Sequence, residues 1–160
     1  MEDIRIMLGD VKFSCRAAAV IIKNNKILFQ KRGHDSFWAL PGGAIGTLER
    51  GKDVVIRELL EETGEKGAKV IRPLWFVEYF FSFDNKKQHQ YIIGYLVDIP
   101  NNSKLLNSVE FNGIETEKNI VYKWLDLSNI SNEPIKPDYL KKQLCNIKNE
   151  FEFVEEEDLN

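Results

Sequence analysis

Hydrophobic and polar positions along this chain predict strands arranged around one amphipathic helix. Small and β-branched residues at 14–22 predict a buried strand. The polar pair Asn24 and Asn25 signals a turn, and residues 26–31 predict the returning strand of a hairpin. Aromatic and β-branched runs at 70–83 and 88–99 flank a polar segment and predict a second hairpin.

The remaining pattern adds two helices and one late strand. Residues 50–63 predict a helix that Gly64 ends, and residues 119–127 predict a strand. Residues 137–147 predict a short helix with Pro137 in its first turn. Strands therefore come before and after a central helix, which predicts an α+β fold in which helices pack on a mixed sheet.

Composition excludes several classes of protein. The chain has 160 residues and contains no apolar run of the ~20 residues that a membrane span needs. Its first ten residues include acids and lack an apolar core, so we expect no secretory signal and a cytoplasmic location. Two cysteines, Cys15 and Cys145, do not make a disulfide framework.

Charge is unevenly distributed along the chain. The formal net charge is −3, but residues 150–160 hold six acids and no bases, which leaves +3 for residues 1–149. We expect one domain over 1–149 and a solvated acidic tail over 150–160. The alternative is that residues 151–154 pair as an edge strand. The small net charge makes nucleic acid an unexpected partner.

The central helix concentrates carboxylates in a way that suggests metal binding. Its predicted apolar stripe is Val55, Ile56, Leu59 and Leu60, which we expect to pack on the sheet. On roughly the other side are Glu58, Glu61, Glu62 and Glu65. Like charges three and four residues apart repel, and a compact set of carboxylates suits Mg²⁺ or Mn²⁺.

A glycine-rich segment lies upstream of these carboxylates. Pro41, Gly42 and Gly43 predict a sharp turn, and glycines let a backbone carbonyl or N–H group approach the same site. Mg²⁺ held by carboxylates usually completes its shell with water and substrate phosphates. These residues suggest metal-assisted phosphoryl chemistry, and a merely solvated acidic helix face is the alternative.

The spacing of these residues resembles the signature of the Nudix (MutT-like) hydrolase family. That signature reads G-x5-E-x7-R-E-U-x-E-E-x-G-U, where U is aliphatic. The chain matches it from Gly43 through Glu49 to Gly64, and the segment Trp38-x-Leu40-Pro41-Gly42-Gly43 is also typical of the family. Two positions depart from the pattern: Glu65 replaces the last aliphatic residue, and Leu48 stands where relatives often have glycine.

The resemblance implies an enzyme that uses Mg²⁺ or Mn²⁺ to cleave the diphosphate linkage of a nucleoside diphosphate derivative. Candidate substrates are a nucleotide-sugar such as ADP-ribose, or a (d)NTP. It implies a single Nudix domain with a mixed sheet sandwiched between helices, and a small-molecule nucleotide partner. A homodimer is left open. The alternative function is a catalytically inactive nucleotide-binding sensor with the same fold.

The resemblance also implies roles for individual residues. The implied metal ligands, direct or through water, are Glu49, Glu58, Glu61 and Glu62. Arg57 would hold Glu49 or Glu61 in place by a charge-assisted contact. The implied catalytic residues are Arg57, Glu58, Glu61 and Glu115. The general base is either a glutamate of the signature or one of Glu110, Glu115 and Glu117 in the loop before the late strand, with Glu115 favoured.

Substrate contacts are expected next to the glycine-rich segment. Arg32 ends the second strand and is a candidate for phosphate binding, with a plain surface cation as the alternative. Phe37 and Trp38 are candidates for stacking on a base, with core packing as the alternative. The backbone of Gly42 and Gly43 is the third candidate contact.

Overall fold

Nine strands and two α-helices form the regular structure of residues 1–159, the part of the chain that the computed structural model describes. The strands are β1 (Arg5–Leu8), β2 (Val11–Lys23), β3 (Lys26–Arg32), β4 (Gly42–Ala44), β5 (Lys69–Phe83), β6 (Lys86–Asp98), β7 (Glu110–Asn112), β8 (Ile120–Asp126) and β9 (Glu152–Asp158). The helices are α1 (Gly51–Thr63) and α2 (Tyr139–Cys145). Short 3₁₀ turns lie at residues 104–106, 116–118 and 127–132.

Both predicted hairpins are present. Asn24 and Asn25 join β2 to β3, and Asp84 and Asn85 join β5 to β6. All four residues have positive φ, between 50° and 61°, which is the conformation that tight hairpin turns require and that Asn and Asp tolerate. The turn signals in the sequence therefore set the register of the two hairpins.

The strands form one mixed sheet in the order β7-β8-β3-β2-β6-β5-β9, with β1 and β4 also paired to β2. The pairs β2–β6 and β5–β9 are parallel, and the other pairs are antiparallel. This arrangement confirms the α+β prediction.

A hydrophobic core lies on each face of the sheet. Val54, Val55 and Leu59 of α1 pack on one face with apolar residues of β2, β6 and β8. Leu140 and Leu144 of α2 pack on the other face with residues of β2, β3 and β5. The sheet is therefore sandwiched between helices, as expected. No helix within residues 1–159 has the length and apolar character that a membrane crossing requires.

Helix α1 starts one residue later than predicted, with Arg50 as its N-cap, and ends at Gly64 in the left-handed conformation (φ 78°). Its buried face also differs from the predicted stripe. Leu60 is 43% exposed, whereas Glu62 is only 6% exposed. Burying the Glu62 carboxylate while Leu60, two positions earlier, stays in water costs free energy. Apolar packing alone therefore does not explain which side of the helix is buried.

The glycine-rich segment forms a strand instead of the predicted sharp turn. Gly42 and Gly43 pair with Ala18 and Ala17 of β2, and neither has positive φ. A Cβ on Gly42 would overlap the carbonyl oxygen of Ala17. These glycines are needed for close approach of neighbouring groups, and not for a left-handed backbone.

The acidic segment at the end of the chain forms an edge strand. Residues 152–158 of β9 pair with residues 75–81 of β5. Val154 packs against the core on the α2 side, and Phe153 stacks on Phe76 with ring centroids 6.0 Å apart. Asn160, the last residue of the segment expected as a tail, lies outside the described residues.

Candidate active site

The candidate site lies where α1 faces strand β4. Gly43 and Glu58 are in close contact there, since a Cβ on Gly43 would overlap the Glu58 carboxylate. Strand β4 is held by its pairing with β2, and α1 is held by its buried residues Val54, Val55 and Leu59. A carboxylate of the helix is thus brought against the backbone of β4.

Glu58 and Glu62 form a pair on this side of α1. They are one helical turn apart, and their side chains are 13% and 8% exposed. Burial and the adjacent Glu62 carboxyl raise the pKa of Glu58 to about 7, although Arg57 and Lys118 oppose the shift. Two largely buried carboxyls at this spacing favour a bound cation.

Arg57 of α1 donates hydrogen bonds to three carboxylates. Its Nε and Nη2 atoms donate to Glu49 Oε1 and Oε2, at 2.8 and 3.1 Å. Its Nη1 atom donates to Glu58 at 3.0 Å and to Glu61 at 3.3 Å. The hydrogen bond from Arg57 holds the pKa of Glu49 below its usual range, and Glu49 also accepts from the Gly46 N–H. Both oxygens of Glu49 are therefore engaged in orienting the loop and Arg57.

Strand β8 and the turn before it close the other side of the site. Tyr122 is fully buried, and its hydroxyl donates to Glu62 Oε2 at 2.7 Å. Lys118 Nζ lies 3.4 Å from Glu62 Oε1 and 3.2 Å from Glu115 Oε1. Burial, the charge of Glu62 and the hydrogen bond to Glu62 raise the pKa of the Tyr122 phenol. The hydroxyl therefore keeps its proton and remains a donor.

Arg16 of β2 brings a further, half-buried cation to the site. Its Nη2 atom donates to the carbonyl oxygen of Leu40 at 3.1 Å. Burial lowers the pKa of its guanidinium, and the charges of Glu62 and Glu58 oppose that shift. Because an arginine stays protonated in proteins, Arg16 places a fixed positive charge next to the two carboxylates.

These groups lie along a cleft of about 840 Å³. Gly42, Gly43 and Arg32, the residues expected to contact substrate, line this cleft. Phe37 also lines it, whereas Trp38 is 6% exposed in the core on the α2 side, with Lys31 Nζ 4.6 Å from its ring centroid. Trp38 therefore packs in the core, which is the alternative to stacking on a base.

A pair of aromatic side chains from β5 forms another part of the cleft wall. Tyr79 and Phe81 both line the cleft, and their rings stack with centroids 4.2 Å apart. Phe83 lines the same cleft further along β5. The cleft thus combines a charged region at Glu58, Glu62 and Arg16 with an aromatic surface.

Other predicted site residues are separated from this pair. The Glu61 side chain is 47% exposed and contacts Arg57. Of the three loop acids, Glu110 and Glu117 are exposed, while Glu115 reaches the site through Lys118. The structure thus joins Glu58, Glu62 and Gly43 directly, and joins Glu49, Glu61 and Glu115 to them through Arg57 or Lys118.

The donor set fits a hard divalent cation. Within residues 1–159 no three His, Cys, Asp or Glu side chains form a ready-made metal cluster. Mg²⁺ rarely requires one, because it commonly takes one or two carboxylates and fills its remaining positions with water and phosphate. Glu58 and Glu62 supply those carboxylates, and the missing Cβ of Gly43 gives access to backbone oxygen.

The two departures from the signature have local structural consequences. Glu65 accepts hydrogen bonds from the Gly67 N–H, at 2.7 Å, and from the Ser103 hydroxyl, which ties the end of α1 to the loop after β6. Leu48 has φ 64° and a fully exposed side chain, a conformation that favours glycine. Neither residue touches the paired carboxylates.

Sequence reasoning missed Arg16, Lys118 and Tyr122. A signal for Arg16 exists, since it is the one charged residue in the apolar run 14–22. Lys118 and Tyr122 are 56 and 60 residues from Glu62 along the chain. Nothing local in the sequence predicts that β8 pairs with β3 and so faces the helix.

Comparison with known proteins identifies a family. The model of the NUDIX domain matches residues 14–144. An RNA pyrophosphohydrolase of Wolbachia sp. subsp. Brugia malayi (strain TRS) is 41% identical over 54 positions, which cover 28% of this chain and 34% of that protein. The match thus spans about a third of the length of that curated relative.

Solved structures share the fold. A NUDIX hydrolase from Nitrosomonas europaea superposes with a TM-score of 0.61 at 15% identity, covering 89% of this chain and 78% of that one. A MutT protein from Methanosarcina mazei Go1 gives a TM-score of 0.55 at 25% identity, covering 82% of this chain and 90% of that one. The arrangement of sheet and helices is the one seen in these proteins.

Proposed function

Because this chain belongs to the Nudix hydrolase family, we propose that it is a metal-dependent pyrophosphohydrolase that cleaves the diphosphate linkage of a nucleoside diphosphate derivative. The observation that carries the proposal is the Glu58–Glu62 pair against the backbone of Gly43, in a cleft that also contains Arg16. Two carboxylates and one half-buried guanidinium suit a metal ion and a phosphate group side by side.

The metal would be held by Glu58 and Glu62, with Glu61 and Glu49 as the further ligands that the family signature implies. A bound Mg²⁺ or Mn²⁺ neutralises charge on the diphosphate oxygens and makes water acidic enough to act as a nucleophile near neutral pH. The protein's part is to fix the two carboxylates. Tyr122 holds Glu62, and Arg57 holds Glu58 through Nη1.

Proton removal from the attacking water is assigned to Glu58. Its carboxyl lies against the backbone of Gly43 and lines the cleft, which places it where a water attacking a bound diphosphate would lie. Glu115 is the second candidate, because its carboxylate lies 3.2 Å from Lys118, next to Glu62. The pH–rate profiles of E58Q and E115Q separate the two, since only loss of the base removes the ascending limb.

Contacts with the phosphates of the substrate and contacts with its nucleobase are assigned to different parts of the cleft. Arg16 offers a fixed positive charge beside the carboxylates, and Arg32 offers a second one at the end of β3. Half-buried Phe81, which stacks on Tyr79, and Phe37 offer surfaces on which a nucleobase stacks. A nucleotide-sugar, a (d)NTP and the 5′ end of an RNA all combine these features.

A substrate screen tests the proposal. Purified protein is incubated at alkaline pH with Mg²⁺ or Mn²⁺ and ADP-ribose, NADH, 8-oxo-dGTP, other NTPs, dinucleoside polyphosphates or 5′-triphosphorylated RNA. We expect metal-dependent release of a mononucleotide or of pyrophosphate from at least one of them. Binding without turnover of any member would contradict the proposal and favour the nucleotide-binding sensor.

Variants then test the residue assignments. E58Q and E62Q are expected to lower kcat by two orders of magnitude or more, because each removes a charge beside the reacting diphosphate. E110Q is the matched control, since Glu110 is an exposed acid of β7. E61Q is expected to have a smaller effect than E62Q, and R32Q to raise KM. Full activity in E58Q and E62Q would overturn the assigned site.

A further inference from the structure

Lys118 lies between two acids of the candidate site, and the family signature assigns it no role. Its Nζ atom is 3.4 Å from Glu62 Oε1 and 3.2 Å from Glu115 Oε1. The Glu62 side chain is 8% exposed, the Glu115 side chain 28% and the Lys118 side chain 37%. The ammonium thus contacts a carboxylate of the helix and a carboxylate of the loop, with part of its surface facing the cleft.

Backbone hydrogen bonds hold the turn that carries Lys118 against the helix. The Ile114 N–H donates to the carbonyl oxygen of Glu62 at 2.8 Å, and the Gly113 N–H donates to that of Ile120 at 2.9 Å. The Gly33 N–H donates to the carbonyl oxygen of Asn119 at 3.0 Å. Anchors on both sides of the turn fix where its lysine emerges, so the contact with Glu62 is part of the fold.

The charge balance of the site explains why a cation is placed there. Glu62 is nearly fully buried, and a buried carboxylate needs a compensating positive charge or hydrogen bonds. Tyr122 supplies a hydrogen bond to one oxygen, and Lys118 supplies a positive charge at the other. Arg57 supplies the positive charge for Glu58 and Glu49.

We propose that Lys118 is a resident cation of the site, which takes the place of a divalent ion between Glu62 and Glu115. An ammonium group at this point competes electrostatically with any metal that approaches these two carboxylates. A divalent ion is then bound on the side of Glu58 and Gly43, where Arg57 contacts Oε1 of Glu58 and the Gly43 backbone lies against the carboxylate. The inference rests on the proposed metal site and predicts how many ions that site binds.

Removal of the lysine charge tests this directly in the absence of substrate. Mn²⁺ binding to the full chain is measured by titration calorimetry and by the free-Mn²⁺ electron paramagnetic resonance signal, for wild type, K118Q and K118R. We expect K118Q to bind one additional Mn²⁺ per chain, or to bind Mn²⁺ about tenfold more tightly, because an adjacent positive charge has been removed. K118R keeps the charge and is expected to match the wild type.

K31Q is the matched control. Lys31 also lines the cleft, but its ammonium lies over the Trp38 ring instead of between carboxylates. Equal stoichiometry and affinity in K118Q and wild type would overturn the inference, as would weaker Mn²⁺ binding in K118Q. A K31Q change as large as that of K118Q would also overturn it, since the effect would then be one of net charge.

The failure of this inference is distinguishable from failure of the proposed function. Loss of Mn²⁺ binding in E58Q shows that the helix carboxylates hold metal, whatever the enzyme hydrolyses. If E58Q loses Mn²⁺ and K118Q behaves as wild type, the inference about Lys118 fails alone. If K118Q gains Mn²⁺ and no nucleotide is hydrolysed, the proposed activity fails alone.

Discussion

At the scale of single residues, the site is defined by side chains in energetically costly positions. Glu62 is a carboxylate withdrawn from water, and Arg16 is a half-buried guanidinium beside it. Each position costs free energy that the fold compensates elsewhere. Such positions mark where function, instead of stability, has shaped the chain.

The raised pKa of Glu58 predicts a specific pH dependence of stability for the metal-free protein. The folded state keeps a proton up to a pKa of about 7, whereas the unfolded chain releases it near 4.5. The free energy of unfolding should therefore fall as pH rises from about 5 to about 7.5. Urea unfolding in EDTA at a series of pH values measures it.

Substitution of Glu58 supplies the control. E58Q has no such proton to release, so its pH dependence over this range should be flatter than that of the wild type. E61Q should retain the wild-type slope, because Glu61 is largely exposed. The same slope in E58Q and wild type would contradict the prediction.

Leu48 provides a prediction about backbone strain. L48G should raise the free energy of unfolding by roughly 0.5–1 kcal/mol, because relief of the left-handed strain exceeds the entropy cost of glycine. Chemical denaturation measures the change. L48A removes the exposed side chain but keeps the strained φ, so it should resemble the wild type. Equal gains in L48A and L48G would show that exposure, and not strain, is responsible.

At the scale of elements, helix α1 is positioned from both ends and from its flank. Glu49 and Arg57 join it to the preceding loop, and Glu65 joins its end to Ser103. Tyr122 reaches it from β8. These contacts fix the rotation of the helix, which decides whether Glu62 or Leu60 is buried.

The Glu65–Ser103 contact should contribute to stability without affecting catalysis. E65A and S103A are each expected to lower the free energy of unfolding, with a coupling of about 0.5–1.5 kcal/mol in the double-mutant cycle. The value of kcat should stay near that of the wild type, since neither residue contacts the paired carboxylates. K66A is the control, an exposed neighbour in the same turn. Additive effects would show that the two residues do not interact.

At the scale of the whole molecule, the acidic segment is a strand of the sheet. Strand β9 covers the edge of β5, which carries the aromatic wall of the cleft. Asp158 lines the cleft, and its Oδ2 atom lies 3.3 Å from Lys136 Nζ. The segment thus connects the sheet edge to the cleft.

Removal of residues 150–160 should therefore destabilise the domain. We expect the free energy of unfolding to fall by at least about 2 kcal/mol, because Val154 and Phe153 lose their contacts and β5 becomes an open edge. Thermal and chemical denaturation measure it. The double variant E155Q/E157Q, on the exposed positions of β9, should be nearly neutral. A truncated chain as stable as the full one would restore the solvated-tail interpretation.

The sequence by itself determined the local elements and the chemistry of the helix. Apolar periodicity, Asn and Asp turns and the Gly64 stop are local, so they predict two hairpins and α1 without any knowledge of long-range contacts. The spacing from Gly43 to Gly64 places the carboxylates on one helix and indicates the family. The tertiary structure decided which of those carboxylates are buried side by side and which stay exposed. Only the pairing of β4 with β2 and of β8 with β3 brings Gly43, Arg16, Tyr122 and Lys118 to Glu58 and Glu62. Contacts between residues 15 to 60 positions apart depend on packing that no local pattern encodes.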